Sequence, residues 1–326
     1  SYTGSDPSKT TLNAENTDLV IDSHEITQFD INKADEKFSL PQLVRMYLRP
    51  HLDAHAQKIN DKMWVQASKF NSAFYDDNSG ATVLDDSDVR FARKTLLKRA
   101  YADPKDGFVS VLDPDADDDL GSLAIFQQAD RRGNNMIQID GSMGTFSGFN
   151  FFLDNLGSSY SLASVGDAVV AAAASEGDTS ITIDDGSGSA SSADLNEGDL
   201  IYFASANGKD EIYTVDSATT TAITLKEELR ADVADDAAIT AVPAGQTQLF
   251  YHPDSLALVT AGMESVSSAS SVQRAIGYDA SNNMNYTLTI QETVHGATVT
   301  IETLYGAQNF YEDWGIRYIR GSIAKA

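Results

Sequence analysis

An apolar stripe that keeps helical spacing from Leu40 to Phe70 constrains this chain more than any other feature. Leu40, Leu43, Val44, Tyr47, Leu48, Leu52, Ala56, Ile59, Met63, Ala67 and Phe70 follow in steps that hold them on one helical face. Ser39 and Gln42 make a capping box ahead of it, and Pro41 suits a first turn. At 1.5 Å per residue such a helix is about 48 Å long. Pro50 falls inside the stripe, which predicts a kink or a cost of about 3 kcal/mol. A long, bent helix lying across a sheet is an architectural spine rather than a catalytic scaffold.

The elements around it predict an α+β fold. "DLVIDSHEITQFDI" (18–31) reads as an extended hairpin broken at Asp22-Ser23, leading through "NKADEK". A second helix is expected over 87–101, with Asp85, Asp86 and Asp88 at its start and Lys98 and Arg99 at its end, as the helix dipole favours. Residues 113–119, "DPDADDD", read as an acidic loop, 122–130 as a short helix and "NMIQIDG" as a strand. After residue 157 Ser, Ala and Gly dominate. Short strands then recur at "SITI" (180–183), "DLIYFAS" (199–205), "EIYTV" (211–215), "AITL" (222–225) and "AAITAV" (237–242), with Asn207-Gly208 as a hairpin turn. This is a small all-β unit, set into a chain whose mixed pattern then resumes. "LFYHPDSLALVTAGM" suggests a strand and a helix, and "YTLTIQ", "ATVTIETLY" and "WGIRYIRG" are closing strands.

Charge and residue types narrow the function. Hydrophobic residues make up 42% of the chain, enough for sizeable cores, yet no run approaches the eighteen apolar residues of a membrane helix. The stretch "SYTGSDPSKT" lacks the layout of a signal peptide. With no cysteine, disulfides and thiolate metal sites are excluded. A formal charge of -25 opposes any sequence-independent grip on nucleic acid, although it allows proximity to it.

Candidate chemistry is sparse. His51 and His55 share a helical face, but Leu52 stands where a metalloprotease carries its Glu, so solvated or subunit-facing histidines are expected. Asp113, Asp115 and Asp117 alternate like the start of a calcium loop, making a weak metal candidate. Asp118 replaces that loop's turn glycine and Ala124 its closing Glu. Asp22, His24 and Glu25 lie close together without a nucleophile elbow. No catalytic residue and no cofactor are expected. Arg90, Arg93, Lys94, Lys98 and Arg99 give the second helix a basic face, which reads either as a solvated face or as a partner for the carboxylates of a neighbouring subunit.

"GSMGTFSGFNFFLDNLG" (141–157) crowds glycines and phenylalanines together with no chemistry. It resembles a segment of the major capsid proteins of tailed double-stranded DNA bacteriophages, whose fold is named after phage Hong Kong 97. The residues that carry the resemblance are Gly141, Gly144, Gly148, Phe149, Asp154 and Asn155. Phe146, Phe149 and Phe151 alternate toward one face and supply core. "SHEITQFDINKADEKFSLPQLVRMYLRPHLDAHAQKINDKMW" is similar to the family's extended loop running into its spine helix, with Leu48, Arg49 and Pro50 as its "LRP" step. "TQLFYHPDSLALVTAGM" resembles the segment that re-enters the main domain, and "GATVTIETLYGAQNFYEDWGIRYIRG" the closing strands.

The resemblance implies a shell of hexamers and pentamers around packaged DNA, which expands by switching between two packings of one chain. It implies a virion location after assembly in the host cytoplasm, a separate scaffolding protein and a portal as partners, and no membrane. It divides the chain into an arm (1–17), an extended loop (18–38), a spine helix with peripheral domain (39–75), an axial domain (76–165), an inserted β-domain (166–242) and a return to both domains (243–326). His24, Glu25, Lys33, Asp35, Glu36, Lys37, Arg45, Arg49, Arg90, Arg93 and Lys94 are the subunit-interface candidates; no cross-link is predicted for Lys33 or Lys37. The alternatives are an encapsulin-type compartment shell, which shares the fold, and an acidic secreted β-rich hydrolase, which would need a catalytic constellation.

Overall fold

In a computed structural model of the chain, the structure describes residues 18–32, 44–75, 84–99, 107–127, 143–203, 212–262, 272–293 and 296–321. Strand β1 (Ser23–Asn32) comes first, and the long helix follows it. Pro50 decides where that helix begins. Its ring crowds the carbonyl four residues earlier, and it has no N–H to donate. Val44–Leu48 accordingly form a π-helical turn, and helix α1 (Arg49–Ala67) starts with Pro50 in its first turn, where no N–H is needed. The proline is therefore not interior, as the spacing suggested. The regular helix is about 28 Å long and stops before Phe70. Ser39, Leu40, Gln42 and Leu43, like the arm over 1–17, lie outside the described residues.

The chain continues through β2 (Ser72–Phe74), α2 (Asp86–Arg99), β3 (Phe108–Leu112), α3 (Pro114–Ser122) and α4 (Ala124–Gln127). At the start of α2, Asp85 Oδ1 accepts from the Ser87 and Asp88 amides at 2.7 and 3.1 Å. Asp88 Oδ2 accepts in return from the Asp85 amide at 3.0 Å. The expected acidic loop is instead helix α3. Asp113 caps it, accepting from the Ala116 amide at 2.8 Å, and Pro114 fits its first turn. The strand expected at "NMIQIDG" lies outside the described residues.

Strands β4 (Thr145–Phe146), β5 (Phe149–Leu153) and β6 (Ser159–Tyr160) follow. Next come β7 (Val169–Val170), β8 (Ser180–Asp184), β9 (Leu200–Phe203), β10 (Tyr213–Ala218), β11 (Ala222–Leu225) and β12 (Ile239–Ala241). The last strands are β13 (Gly245–Tyr251), β14 (Leu256–Ala261), β15 (Val272–Asp279), β16 (Met284–Thr293), β17 (Gly296–Asn309) and β18 (Gly315–Gly321). Asn207-Gly208 lies outside the described residues. The helix expected in "LFYHPDSLALVTAGM" is strand β14, after a short 3-10 turn at Pro253–Ser255. A short apolar run suits either form, and its pairing with β17 decides.

Three sheets result. A seven-stranded mixed sheet runs β2, β18, β13, β3, β5, β4, with β6 also on β13; β2 with β18 and β3 with β5 are its parallel pairs. A six-stranded antiparallel sheet runs β12, β9, β10, β11, β8, β7. A five-stranded antiparallel sheet runs β1, β17, β16, β15, with β14 also on β17. The hairpin expected in 18–31 is thus the single strand β1, paired with β17 near the other end of the chain. Local alternation showed the strand and could not show so distant a partner.

Each sheet has its own core. Phe108, Phe149, Phe250 and Tyr318 pack against Val89, Ala92 and Leu96 of α2 and Leu120 of α3. The six-stranded sheet closes on residues drawn from 163–239. Leu52 and Ile59 of α1 lie on Ile301 and Tyr305 of the five-stranded sheet, while Trp64 and Ala67 join Phe70 against Leu249 of the seven-stranded one. One helix therefore packs on two sheets. Met63, expected in the stripe, is only half-buried, and His55 and Trp64 take inward positions.

Gly306, in the middle of β17, is required by close approach. A Cβ there would stand 2.0 Å from the Val20 carbonyl oxygen and 3.0 Å from the Ile21 Cα. Backbone cannot swing aside as a side chain can, so Gly306→Ala is expected to destabilise the fold by about 1–3 kcal/mol. Urea denaturation of parent and variant measures it; an unchanged midpoint would show that residues 18–22 do not press on β17.

Candidate functional site

The glycine- and phenylalanine-rich segment folds as a hairpin. Phe146 of β4 pairs with Phe149 of β5 across Ser147-Gly148, whose φ values of 51° and 85° are both positive, as a two-residue primed turn requires. Phe149 is fully buried, and Phe146 and Phe151 pack against the same core, as their alternation predicted. Gly144 also has positive φ; Gly141 lies outside the described residues.

Asp154, not Asn155, locks the segment to the helix. Its Oδ2 accepts from Asn60 Nδ2 and Trp64 Nε1, both at 2.8 Å, and its Oδ1 from the Leu156 amide at 2.9 Å. Burial works to raise its pKa, but these three donors outweigh it and hold the carboxyl below its ordinary value. Asn155 is exposed. Asn60 and Trp64 were missed because the apolar stripe passes beside them. Their spacing of four, which places both on one face, was the available signal.

His55 occupies the other half of the helix. It is buried, with Nε2 2.7 Å from Thr27 Oγ1 and Nδ1 2.9 Å from Thr303 Oγ1. Both ring nitrogens are thus engaged with strands β1 and β17. Desolvation lowers its pKa, so the neutral imidazole is the folded form. His51 stacks on Phe29 with ring centroids 4.9 Å apart. The solvated or subunit-facing pair expected from sequence is corrected: these histidines tie the helix to its own sheet.

The weak metal candidates Asp113, Asp115 and Asp117 lie on or at the start of helix α3. Asp113 is a helix cap, and Asp115 lies 3.7 Å from Arg320 Nη1. Asp117 is half-buried, its pKa raised by burial and by Asp118. Arg320 Nε donates to Asp119 at 2.6 Å. The helix turns these carboxylates to separate tasks, and the described residues bring no three His, Asp or Glu side chains together for a metal ion.

The interface candidates fall in two places. His24 and Glu25 lie on β1. His24 is exposed and 3.6 Å from Glu302, while Glu25 is half-buried beside the Tyr305 hydroxyl. Arg45 and Arg49 are exposed where the π turn meets α1. On α2, Arg90, Arg93, Lys94 and Leu97 border an open cleft whose far wall is Phe146 and Ser147 of the hairpin. Arg90 pairs with Asp86, Lys94 lies over the Phe91 ring, and Arg93 Nε has no hydrogen-bond partner among the described residues. The cleft is cationic with apolar walls. Lys33, Asp35, Glu36 and Lys37 lie outside the described residues.

No family model and no curated protein matches the sequence. Solved structures do. A structure of Mycobacterium phage Che8 is similar at 13% identity over 96% of this chain and 78% of its own, with a TM-score of 0.47. The capsid of the cyanophage P-SCSP1u is similar at 10% identity over 99% and 81%, with a TM-score of 0.43. The holo-SrpI encapsulin complex from Synechococcus elongatus PCC 7942 is similar at 10% identity over 93% and 75%, with a TM-score of 0.39.

Asp154→Ala leaves the Trp64 and Asn60 donors unmet and is expected to cost about 2–3 kcal/mol by urea denaturation; a loss under about 0.5 kcal/mol would remove the clamp. For His55, the unfolded chain takes up a proton near pH 6.5, as a free imidazole does, while the folded chain resists it. Its contribution is therefore complete above that pH and is lost as pH falls through and below it. Between about pH 7.5 and 5.5, the parent should lose more stability than His55→Gln. Equal losses would show that His55 titrates alike in both states.

Proposed function

We propose that this chain is a major capsid protein of the Hong Kong 97 type, a structural protein that assembles into hexamers and pentamers of an icosahedral shell around packaged double-stranded DNA. One observation carries the reading. The segment that resembles capsid subunits, 141–157, is joined through Asp154 to the helix that resembles their spine. That helix in turn lies on the sheet formed by the extended segment β1 and the closing strand β17. Segments that resemble the family in sequence order thus meet in space as one supporting frame.

In this reading the six-stranded unit is an inserted domain over 166–242. The arm (1–17) reaches over neighbouring subunits, while the 18–38 loop is anchored on its own subunit by the pairing of β1 with β17. The cationic cleft of Arg90, Arg93 and Lys94 receives a neighbour's carboxylates, which a chain of charge -25 has in excess. His24, Glu25, Arg45 and Arg49 face other contacts, and Lys33, Asp35, Glu36 and Lys37 belong to the loop. The acid excess keeps the inner wall from adhering to DNA, so the genome packs without being gripped. A separate scaffolding protein and a portal complete the assembly, and the mature protein resides in the virion.

Co-expression with the scaffolding protein should give closed shells in negative-stain microscopy. A chain that stays monomeric with scaffold supplied would overturn the proposal, and native particles filled with protein cargo instead of DNA would make it an encapsulin shell. Arg90→Glu with Lys94→Glu alters exposed positions, so it should change subunit stability by only about 0.5 kcal/mol while sharply reducing shell yield. An undiminished yield would remove the cleft from the interface.

A further inference from the structure

Arg317, on β18, is only 4% exposed. Its Nη2 donates to Thr214 Oγ1 at 3.0 Å, while its Nε has no hydrogen-bond partner among the described residues. No carboxylate of the described residues lies within ion-pairing distance of its guanidinium, unlike Arg320 on the same strand, which meets Asp119. A buried cation without a counter-ion is strongly unfavourable. Burial lowers its pKa to about 10, which leaves it charged at neutral pH. The neighbouring Tyr160 cannot compensate: burial pushes its phenol up to about 12, so it stays neutral, and its oxygen already accepts from the Leu200 amide at 2.9 Å.

Arg317 is one of the residues lining a half-open cavity of about 220 Å³ at the joint between the seven-stranded and six-stranded sheets. Ser158, Ser159, Ser161 and Thr247 also line it, and none of their hydroxyls has a hydrogen bond within the described residues. Of the two carboxylates in its lining only Glu197 has a cation partner, and neither lies within ion-pairing distance of Arg317. Glu197 receives Lys226 at 3.0 Å, and Asp199 accepts from the Asn196 amide at 2.8 Å. We propose that this cavity binds a free phosphate-sized oxyanion, which supplies the counter-charge of Arg317 and accepts hydrogen bonds from the surrounding hydroxyls. The volume suits one such ion and a few waters, each taking about 30 Å³. The site is independent of the shell reading, since it lies within one subunit. Arg317 belongs to one sheet and Thr214 to the other, so the bound ion stiffens their joint.

The test is thermal melting of the full chain in rising inorganic phosphate, with ionic strength held constant by sodium chloride. A saturable rise in Tm is expected with phosphate, and it should vanish in Arg317→Met. Ser159 is exposed, so Ser159→Leu closes the mouth without touching the core and should also abolish the rise. It decides the matter if Arg317→Met does not fold. An equal rise in chloride alone, or a phosphate effect that survives in Ser159→Leu and in folded Arg317→Met, would overturn the site. Competition by a short single-stranded oligodeoxynucleotide would overturn the assignment to a free ion.

Discussion

The five-stranded and seven-stranded sheets both lean on one helix held by polar contacts along its buried face. Leu52 and Ile59 give α1 its apolar seat, but apolar contact is non-directional and would allow the helix to slide. His55, bonded to Thr27 and Thr303, fixes it against the five-stranded sheet. Asn60 and Trp64, both donating to Asp154, fix it against the hairpin that edges the seven-stranded sheet. The two sets of bonds point to different sheets, so the helix sets the relative position of both. The π turn ahead of Pro50 then determines how the preceding segment enters.

How legible this was depended on the range of the interactions. Local patterns were readable: β8, β9, β10, β11 and β12 appeared as short strands spaced by turn signals, and α2 was marked by acids at one end and bases at the other. What depends on a distant partner was not. The pairing of β1 with β17 has no local signature, and β14 took its form from the same strand. Pattern reasoning also favours apolar residues as core, which hid His55. Its ring is buried only because two threonines from far apart in sequence satisfy its nitrogens. The acidic run at 113–119 read as a loop because five acids rarely fold tightly; the Asp113 cap and Arg320 make a helix of it.

The charge of the chain is spent unevenly. Many carboxylates serve as caps and turn acceptors, among them Asp85, Asp113, Asp154 and Asp185. Such roles need an acceptor rather than a counter-ion, so they are met without basic residues. The scarce cations are then concentrated where geometry uses them: Arg320 against Asp119, Arg317 at the joint between sheets, and the cluster on α2 beside the hairpin. A basic cleft on an otherwise acidic molecule is a directional feature, because it distinguishes one face from every other.

The six-stranded sheet leaves and returns at one place. Tyr160, just before it, is paired with Gly245, just after it, on adjacent strands β6 and β13. Among the described residues, its core is drawn from 163–241. The two ends are therefore stitched together by the ladder of the seven-stranded sheet, whatever lies between them. The intervening chain meets that sheet through the apolar joint around Ile319, Leu200 and Val242 and through hydrogen bonds such as Arg317 to Thr214. The excursion is thus closed like a loop of thread drawn through one stitch: its two ends are held one ladder step apart by strands that belong to another sheet.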